Sequence, residues 1–494
     1  MFKHAQLESV KTWINHPDYR PLPLHGRIHR AIRQMILDGT LEAGKALPAS
    51  RALAQSLEVS RDTIETAYGQ LHAEGFIVRK VGSGTHVSER ARGMSVKGPK
   101  PAQLPPSSTM HLSHRGKAIF QSGGLRDFLI PRPFAPGVPE TRRFPLALWE
   151  RLQRQALKEH GTQVLSHSPP QGLLSLRQAI ADYINLERGA RASADRVLIL
   201  TSSQQALTLV ANVLLDPRDA VFIEDPVYQG AYKAFIAAGL RCIPIPLDQE
   251  GMQVEHILNM PNAAKAVFLT PSHQFPSGTS LSLQRRLSII EWAHRHQGWI
   301  IEDDYDSEFH YDGKPTACVQ GLDSQDRTIY IGTFTKSLFP ALRLAYMVLP
   351  PPLVEAFTIA RSLQDGHSAA IAQLTLARFI EGGHFGAYIR QMRQLYAKRR
   401  DTLARLLEQE LSDYLHAQVP AGGMQMACRL LTQDAESDII SRARRANIEL
   451  LGLQGLCQQA PYQRGFLMGF AAYTPDELRI AVTRLKQIFA TFPV

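Results

Sequence analysis

The chain has 494 residues, 44% hydrophobic and 20% charged, which is enough for two or three domains with their own cores and excludes a disordered polymer. Its four cysteines, Cys242, Cys318, Cys428 and Cys457, form no C-x-x-C pair, and no stretch reaches the ~20 apolar residues of a membrane helix, so a disulfide scaffold and a membrane span are both excluded. Of 55 Lys and Arg and 45 Asp and Glu, residues 1–117 hold 17 and 9, leaving 38 and 36 for the rest; +8 of the net charge of +10 thus sits at the front, where a polyanion is the expected partner.

The N-terminus carries Glu8 and Asp18 among polar residues, with no apolar run ahead of a cleavage site, so a reducing, cytoplasmic location is expected. Leu24, Ile28, Ala31, Ile32 and Met35 then recur at helical spacing and Gly39 closes the run. A short second helix follows Pro48, with Leu53, Ala54 and Leu57 on one side. Ser60 is placed as the N-cap of a third helix, in which Ile64, Ala67, Tyr68 and Leu71 form the buried stripe before Gly75. Two strand-like runs, Phe76 to Val81 and Thr85 to Val87, flank the turn Gly82-Ser-Gly84 and predict a hairpin.

Helices two and three in tight succession make a helix-turn-helix, and the hairpin makes its wing. The third helix of such a unit enters the major groove of double-stranded DNA with its N-terminal residues toward the bases. Arg61 and Thr63, beside the Ser60 cap, are therefore expected at the bases, and Arg51, Ser83 and Thr85 at the phosphates. The stretches Leu47-P-A-S-R-A-L-A-Q-S-L-E-V-S-R-D-T-Ile64 and Glu74-G-F-I-V-R-K-V-G-S-G-Thr85 closely resemble the GntR-type winged helix, which gives residues 1–88 as the DNA-binding domain.

Periodicity disappears from about Glu89 to Leu125. Gly98-Pro-Lys-Pro101 and Leu104-Pro-Pro-Ser-Ser108, with no acidic residue between Ala91 and Lys117, read as a solvated basic linker ahead of a domain at 126–494. That domain alternates strand-like runs (Val197–Leu200, Ala220–Ile223, Ala266–Leu269, Trp299–Ile301, Thr328–Ile331) with helical patterns such as Gln204–Leu215 and Leu283–His296. Alternation of this kind predicts a mostly parallel sheet covered on both faces, with a ligand at the carboxyl ends of its strands.

The segments that follow those strands carry the chemistry. Ser202 and Ser203 open a helix whose N-terminal amides suit a phosphate, although an ordinary cap reads the same way. Tyr228 can stack on a flat ring, and Thr270-P-S-H-Q-F-P-S-Gly278 can bring His273, Gln274 or Phe275 beside it. Glu302-Asp-Asp-Tyr305 offers Asp303 to a pyridine nitrogen and Tyr305 to a ring oxygen. In Gly332-T-F-T-K-S-L-F-P-A-L-Arg343, Lys336 suits an internal Schiff base with pyridoxal phosphate, while Thr333, Thr335 and Arg343 suit its phosphate.

From about Arg132 onward the chain looks like the fold-type I, class I/II aminotransferase domain, on the strength of Ile300-I-E-D-D-Y-D-S-E-Phe309 and the two segments just quoted. Its combination with the winged helix is similar to the MocR/GabR subfamily of GntR regulators. The resemblance implies pyridoxal phosphate on Lys336 with the roles given above, a smaller C-terminal α+β subdomain, and a domain-swapped, head-to-tail homodimer. Departures accompany the match. Leu467 occupies the place of an arginine for a substrate carboxylate, with Arg464 as a candidate replacement; Ser202 stands for a glycine, and His167 for an aromatic residue that a neighbouring subunit contributes before Gly172.

Three functions fit these residues. One is a transcription regulator whose cofactor domain senses pyridoxal phosphate, an amine or an amino acid. Another is an active aminotransferase with a DNA-binding appendage, and the third a dimerisation platform that has lost cofactor chemistry. Leu467 weighs against efficient transamination, because orienting the α-carbon needs a carboxylate anchor. Lys336 and Asp303 weigh against the platform.

Overall fold

The chain divides into two units, Met1–His111 and Leu112–Val494. The computed structural model describes residues 4–16, 19, 21–80, 83–89, 112–125, 130–260, 262–312, 317–459 and 464–492.

In the first unit, helices α1 (His4–Ile14), α2 (Leu24–Leu37), α3 (Ser50–Leu57) and α4 (Arg61–Ala73) precede a hairpin of β1 (Ile77–Lys80) and β2 (Gly84–Val87). The apolar stripes read from the sequence meet in one core, where Ile28, Ala31, Ile32, Met35, Ile64, Ala67 and Leu71 are fully buried. The helix α1 was not legible, yet its Val10 is fully buried in the same core. Gly75, at φ +78°, ends α4 in the left-handed region that glycine adopts without strain.

The linker expected from Glu89 to Leu125 lies outside the described residues over 90–111. Its far end is corrected: His114–Gln121 is a helix, capped by Ser113, whose hydroxyl accepts from the Gly116 amide at 3.0 Å. None of its residues is buried, and Ile119 and Phe120 face solvent, so no apolar stripe betrayed it.

The second unit holds an eight-stranded sheet in the order β3 (Val197–Leu200), β10 (Ala345–Val348), β9 (Thr328–Thr333), β8 (Trp299–Asp304), β7 (Ala266–Leu269), β4 (Ala220–Asp225), β5 (Arg241–Asp248), β6 (Gly251–Met252). From β9 to β5 the pairing is parallel, and β10 lies antiparallel between β9 and β3. The central strands are continuous apolar runs buried on both faces, as a helix-covered parallel sheet requires. Pro244 and Pro246 interrupt β5 at alternate positions. They are tolerated because β5 pairs with β4 on one side and with β6 only at Leu247 and Asp248 on the other.

A second, antiparallel sheet, β11 (Leu415–Gln418), β12 (Gln425–Leu430), β14 (Gly465–Gly469) and β13 (Leu451–Gly452), forms the smaller C-terminal α+β part with the helices His384–Leu411 and Pro475–Phe489. Architecture thus follows the expected class, a winged helix-turn-helix followed by an aminotransferase-like α/β fold. No described helix is long and apolar enough to cross a membrane.

Candidate functional site

On the first unit the expected DNA-facing residues sit at the start of α3, the start of α4 and the tip of the hairpin. Ser60 caps α4: its Oγ accepts from the Thr63 amide at 3.2 Å and lies 2.7 Å from the Thr63 hydroxyl. The two hydroxyls are thus occupied with each other. Arg51 and Arg61 are exposed, and neither guanidinium is bonded to a described residue. Ser83 is exposed and Thr85 half-buried beside it. Glu65, which the sequence did not single out, accepts from Arg79 of β1 at 3.0 Å. A hydrogen bond from Ser50, then the Arg79 charge, hold its carboxyl below the ordinary range, so it ties α4 to the wing and to the start of α3.

On the second unit, sheet register explains which residues meet. Ala345 lies opposite both Thr333 and Leu200, so Arg343, just before β10, shares an edge with Thr333 and with the helix Ser203–Val213 that follows β3. This is the expected anion-binding group. Arg343 is exposed, its backbone in the left-handed region at φ +54°. Thr333 caps the turn that carries Lys336, accepting from the Thr335 amide at 3.2 Å. Ser202 likewise caps its helix, accepting from the Gln205 amide at 3.2 Å. Its oxygen accepts there and its O–H is left to donate, while the Ser203 amide at the helix start has no intrahelical partner.

Three strands over, the turns after β8, β7 and β4 bring Tyr305, Phe275 and Tyr228 together: Phe275 meets Tyr228 edge-on at 5.6 Å between ring centres and Tyr305 at 6.3 Å. Gln274 donates to the carbonyls of Pro226 at 2.9 Å and Phe275 at 2.6 Å and accepts from Ser277, which fixes this turn. His273 is buried against Asp306, Nδ1 to Oδ1 2.9 Å.

Alternation along β8 separates three neighbouring acids. Glu302 accepts from the Val319 and Gln320 amides, both at 2.9 Å. Asp304 accepts from Arg188 Nε at 2.9 Å and Tyr330 Oη at 2.6 Å, and this company holds its carboxyl below the ordinary range against the effect of burial. Asp303 points the other way and is 3% exposed, and its Oδ1 has no hydrogen-bond partner. Burial, then the charges of Asp304, Asp306 and Glu224, push its carboxyl up to about 7, while Lys336 pulls it down. A buried carboxylate so placed calls for a cation or an N–H donor. Tyr305 is held well above its ordinary value, by burial first and then by Asp306, Asp303 and Glu224, so it stays a hydroxyl donor.

Lys336 is half-buried, and its Nζ donates to the carbonyl of Gly137 at 2.9 Å. A Cβ on Gly137, whose φ is +67°, would stand 2.9 Å from that nitrogen, so glycine keeps the space beside the amine clear. Gln425 of β12 completes the site with a hydrogen bond to Tyr305. Sequence reasoning missed both residues. Gly137 acts through a carbonyl 199 positions from the lysine, and no local pattern reports such a contact.

The residues suit pyridoxal phosphate on three counts: an amine with cleared space, an unpartnered buried carboxylate for a protonated ring nitrogen, and an exposed arginine beside a helix N-terminus for the phosphate. The arginine replacement does not materialise. Arg464 donates to the carbonyls of Thr432 at 2.9 Å, Gln433 at 3.0 Å and Asp434 at 3.3 Å, whereas Leu467 is fully buried in β14. His167 is exposed, Nδ1 lying 3.3 Å from His367 Nε2.

Comparison with known proteins agrees with this division. The family profile described as aminotransferase class I and II matches residues 141–457, and that of the bacterial regulatory proteins of the gntR family matches 24–87. The chain is 32% identical over 480 residues to the probable rhizopine catabolism regulatory protein MocR of Rhizobium meliloti, covering 95% of this chain and 94% of that one. It is 27% identical over 471 residues to the pyridoxine biosynthesis transcriptional regulator PdxR of Corynebacterium glutamicum, covering 95% and 96%. Among solved structures it is similar to LysN, the α-aminoadipate aminotransferase of Thermus thermophilus complexed with N-(5'-phosphopyridoxyl)-L-leucine (TM-score 0.70, 25% identity, 76% of this chain and 97% of that one). It is also similar to the Pyrococcus horikoshii kynurenine aminotransferase (TM-score 0.68, 26% identity, 77% and 95%).

Proposed function

The chain belongs to the MocR/GabR subfamily of GntR-type transcriptional regulators, with an aminotransferase-like domain after the winged helix, and from that premise we propose that it binds an operator through residues 1–88 and senses pyridoxal phosphate, or an amine or amino acid presented to it, in residues 126–494. One observation supports the sensing half of this reading: Asp303, near the end of β8 with an unpartnered buried oxygen, and Lys336, in the turn after the adjacent β9, stand at the carboxyl ends of neighbouring strands.

When bound, the cofactor supplies an aldehyde that takes up amines and a ring that withdraws electrons. The chain does the rest. Lys336 offers the amine, and Asp303 holds the proton at the ring nitrogen. Tyr305 donates to the ring oxygen, Tyr228 covers the ring, and Arg343, Thr333, Thr335, Ser202 and Ser203 receive the phosphate. On the DNA side, Arg61 and Thr63 read bases next to the Ser60 cap, while Arg51, Ser83 and Thr85 hold phosphates. The reading includes a domain-swapped homodimer.

Titrating operator affinity with pyridoxal phosphate, alone and with a panel of amines and amino acids, tests the proposal. A ligand that binds differently the two states which the operator itself distinguishes shifts operator affinity, by tenfold for each ~1.4 kcal/mol of coupling. Affinity unmoved by every ligand overturns sensing. Steady turnover of an amino acid with a keto acid at ordinary enzyme rates would favour the alternative, an active aminotransferase.

A further inference from the structure

β12 and β14 present two faces. Met426, Cys428, Phe466 and Met468 face the main core. On the other face stand Gln425, Ala427 and Leu467, since side chains alternate along a strand and Ala427 lies opposite Leu467. Gln425 hydrogen-bonds Tyr305, and its Oε1 would be 3.8 Å from a Cβ on Gly137, beside Lys336. Away from Gln425, this face enters a small apolar cluster of Ala427, Leu453, Leu456 and Leu467, with Phe275 and Leu451 half-buried against it. Phe275 closes the circle by its contacts with Tyr228 and Tyr305. From the Lys336 amine outward, the wall is therefore tyrosine, phenylalanine and leucine.

Among the described residues, the charges bonded to this wall have the wrong sign, or no spare donor, for a ligand carboxylate. Asp225 accepts from the Gln458 and Gln459 amides at 2.8 and 3.0 Å, and Glu436 accepts from the Gly465 amide at 2.6 Å. Arg464 is taken up by three carbonyls, and Arg188 by Asp304 and Ser272. Arg429 shares the face of Gln425 but is exposed and four residues further along β12, about 13 Å at the rise of a strand. It is out of reach of a carboxylate attached next to an amine at Lys336.

We propose that the ligand received beside Lys336 is a primary amine with no carboxylate on its first carbons, its uncharged body lying along Phe275 and Leu467; this rests on the reading that Lys336 holds pyridoxal phosphate. An α-carboxylate would lose its water against leucine without gaining a partner, an imbalance that costs roughly tenfold or more in affinity.

Calorimetric titration of the full, cofactor-loaded chain with n-butylamine and with L-norvaline, the same amine bearing an α-carboxylate, tests this. Butylamine is expected to bind at least about tenfold more tightly, and Leu467→Arg to reverse the order. Equal binding, or tighter norvaline, with cofactor absorbance intact overturns the inference alone. Failure to take up pyridoxal phosphate, seen as a colourless protein, overturns the underlying reading and this one with it. The wild-type comparison decides the matter even where Leu467→Arg does not fold.

Discussion

The two units solve opposite problems with their polar residues. In the winged helix, hydroxyls are occupied in caps at exposed positions, and Arg51 and Arg61 extend into solvent with no bonded partner among the described residues. In the larger unit, acids are buried at the ends of apolar strands, and most are satisfied: Glu302 by two amides, Asp304 by an arginine and a tyrosine, Glu224 by Thr270. Asp303 keeps a buried Oδ1 without a partner. Asp304 Oδ1 and Asp306 Oδ2 are also buried without a partner, but each of these residues is bonded through its other oxygen, whereas Asp303 is not anchored by such a bond. An exposed arginine leaves open what it binds, since water satisfies it equally well. A buried carboxylate without a partner is costly, and its neighbours state what would relieve it. The contrast predicts that damage to one unit's site leaves the other's intrinsic binding unchanged.

The largest effect is expected at Lys336. Lys336→Ala should abolish the visible absorbance of bound pyridoxal phosphate, while operator affinity measured without cofactor stays within about twofold, because the Lys336 amine bonds Gly137 of its own unit. Loss of both would break the comparison. Next comes Arg61→Ala, expected to weaken specific operator binding by about 1–3 kcal/mol, roughly tenfold to a hundredfold, with absorbance untouched. Normal operator binding by this variant would remove Arg61 from the reader.

The sequence was informative to different degrees in the two units, for physical reasons. Apolar stripes at helical spacing located α2, α3 and α4, and continuous apolar runs located β3, β4, β7, β8 and β9. Patterning failed where burial does not set the residue types. Pro244 and Pro246 hide β5, the helix His114–Gln121 buries nothing, and α1 sits among polar residues with Val10 as its buried anchor. Within the site, Lys336, Asp303 and Tyr305 were legible because their residue types are themselves the chemistry. Gly137 and Gln425 were not: one contributes a carbonyl and an absence of side chain, the other a hydrogen bond arriving from a different sheet.

A smaller effect should appear in the pH dependence of the larger unit. The Asp303 carboxyl, raised to about 7 from an ordinary 3.8, binds its proton more tightly when folded than when unfolded. The resulting stability is fully present below the unfolded value and is lost as pH rises through the folded one. Cofactor-free protein should therefore melt at progressively lower temperature between about pH 4 and about pH 7, with Glu224 and Glu302, also near 7 through burial, adding to the slope. Asp303→Asn should flatten the slope in part, and pyridoxal phosphate should flatten it by supplying the missing partner. A slope unchanged by both would mean that the unpartnered oxygen is not what the cofactor meets.

The finest test concerns Ser60, where structure and recognition overlap. Its hydroxyl caps α4, and replacing such a cap by alanine costs about 1 kcal/mol, whereas glycine costs only a few tenths. Hydrogen exchange of the α4 amides in the full chain should thus accelerate by roughly fivefold in Ser60→Ala where exchange follows opening of the helix, and return close to wild type in Ser60→Gly. Both variants lack the hydroxyl, so operator affinity separates its two roles. If Ser60→Gly recovers operator binding along with helix protection, Ser60 serves DNA only by holding α4 and presenting Arg61. If binding stays weak while the helix is restored, the hydroxyl itself meets the DNA, donating its O–H outward while its oxygen accepts from Thr63.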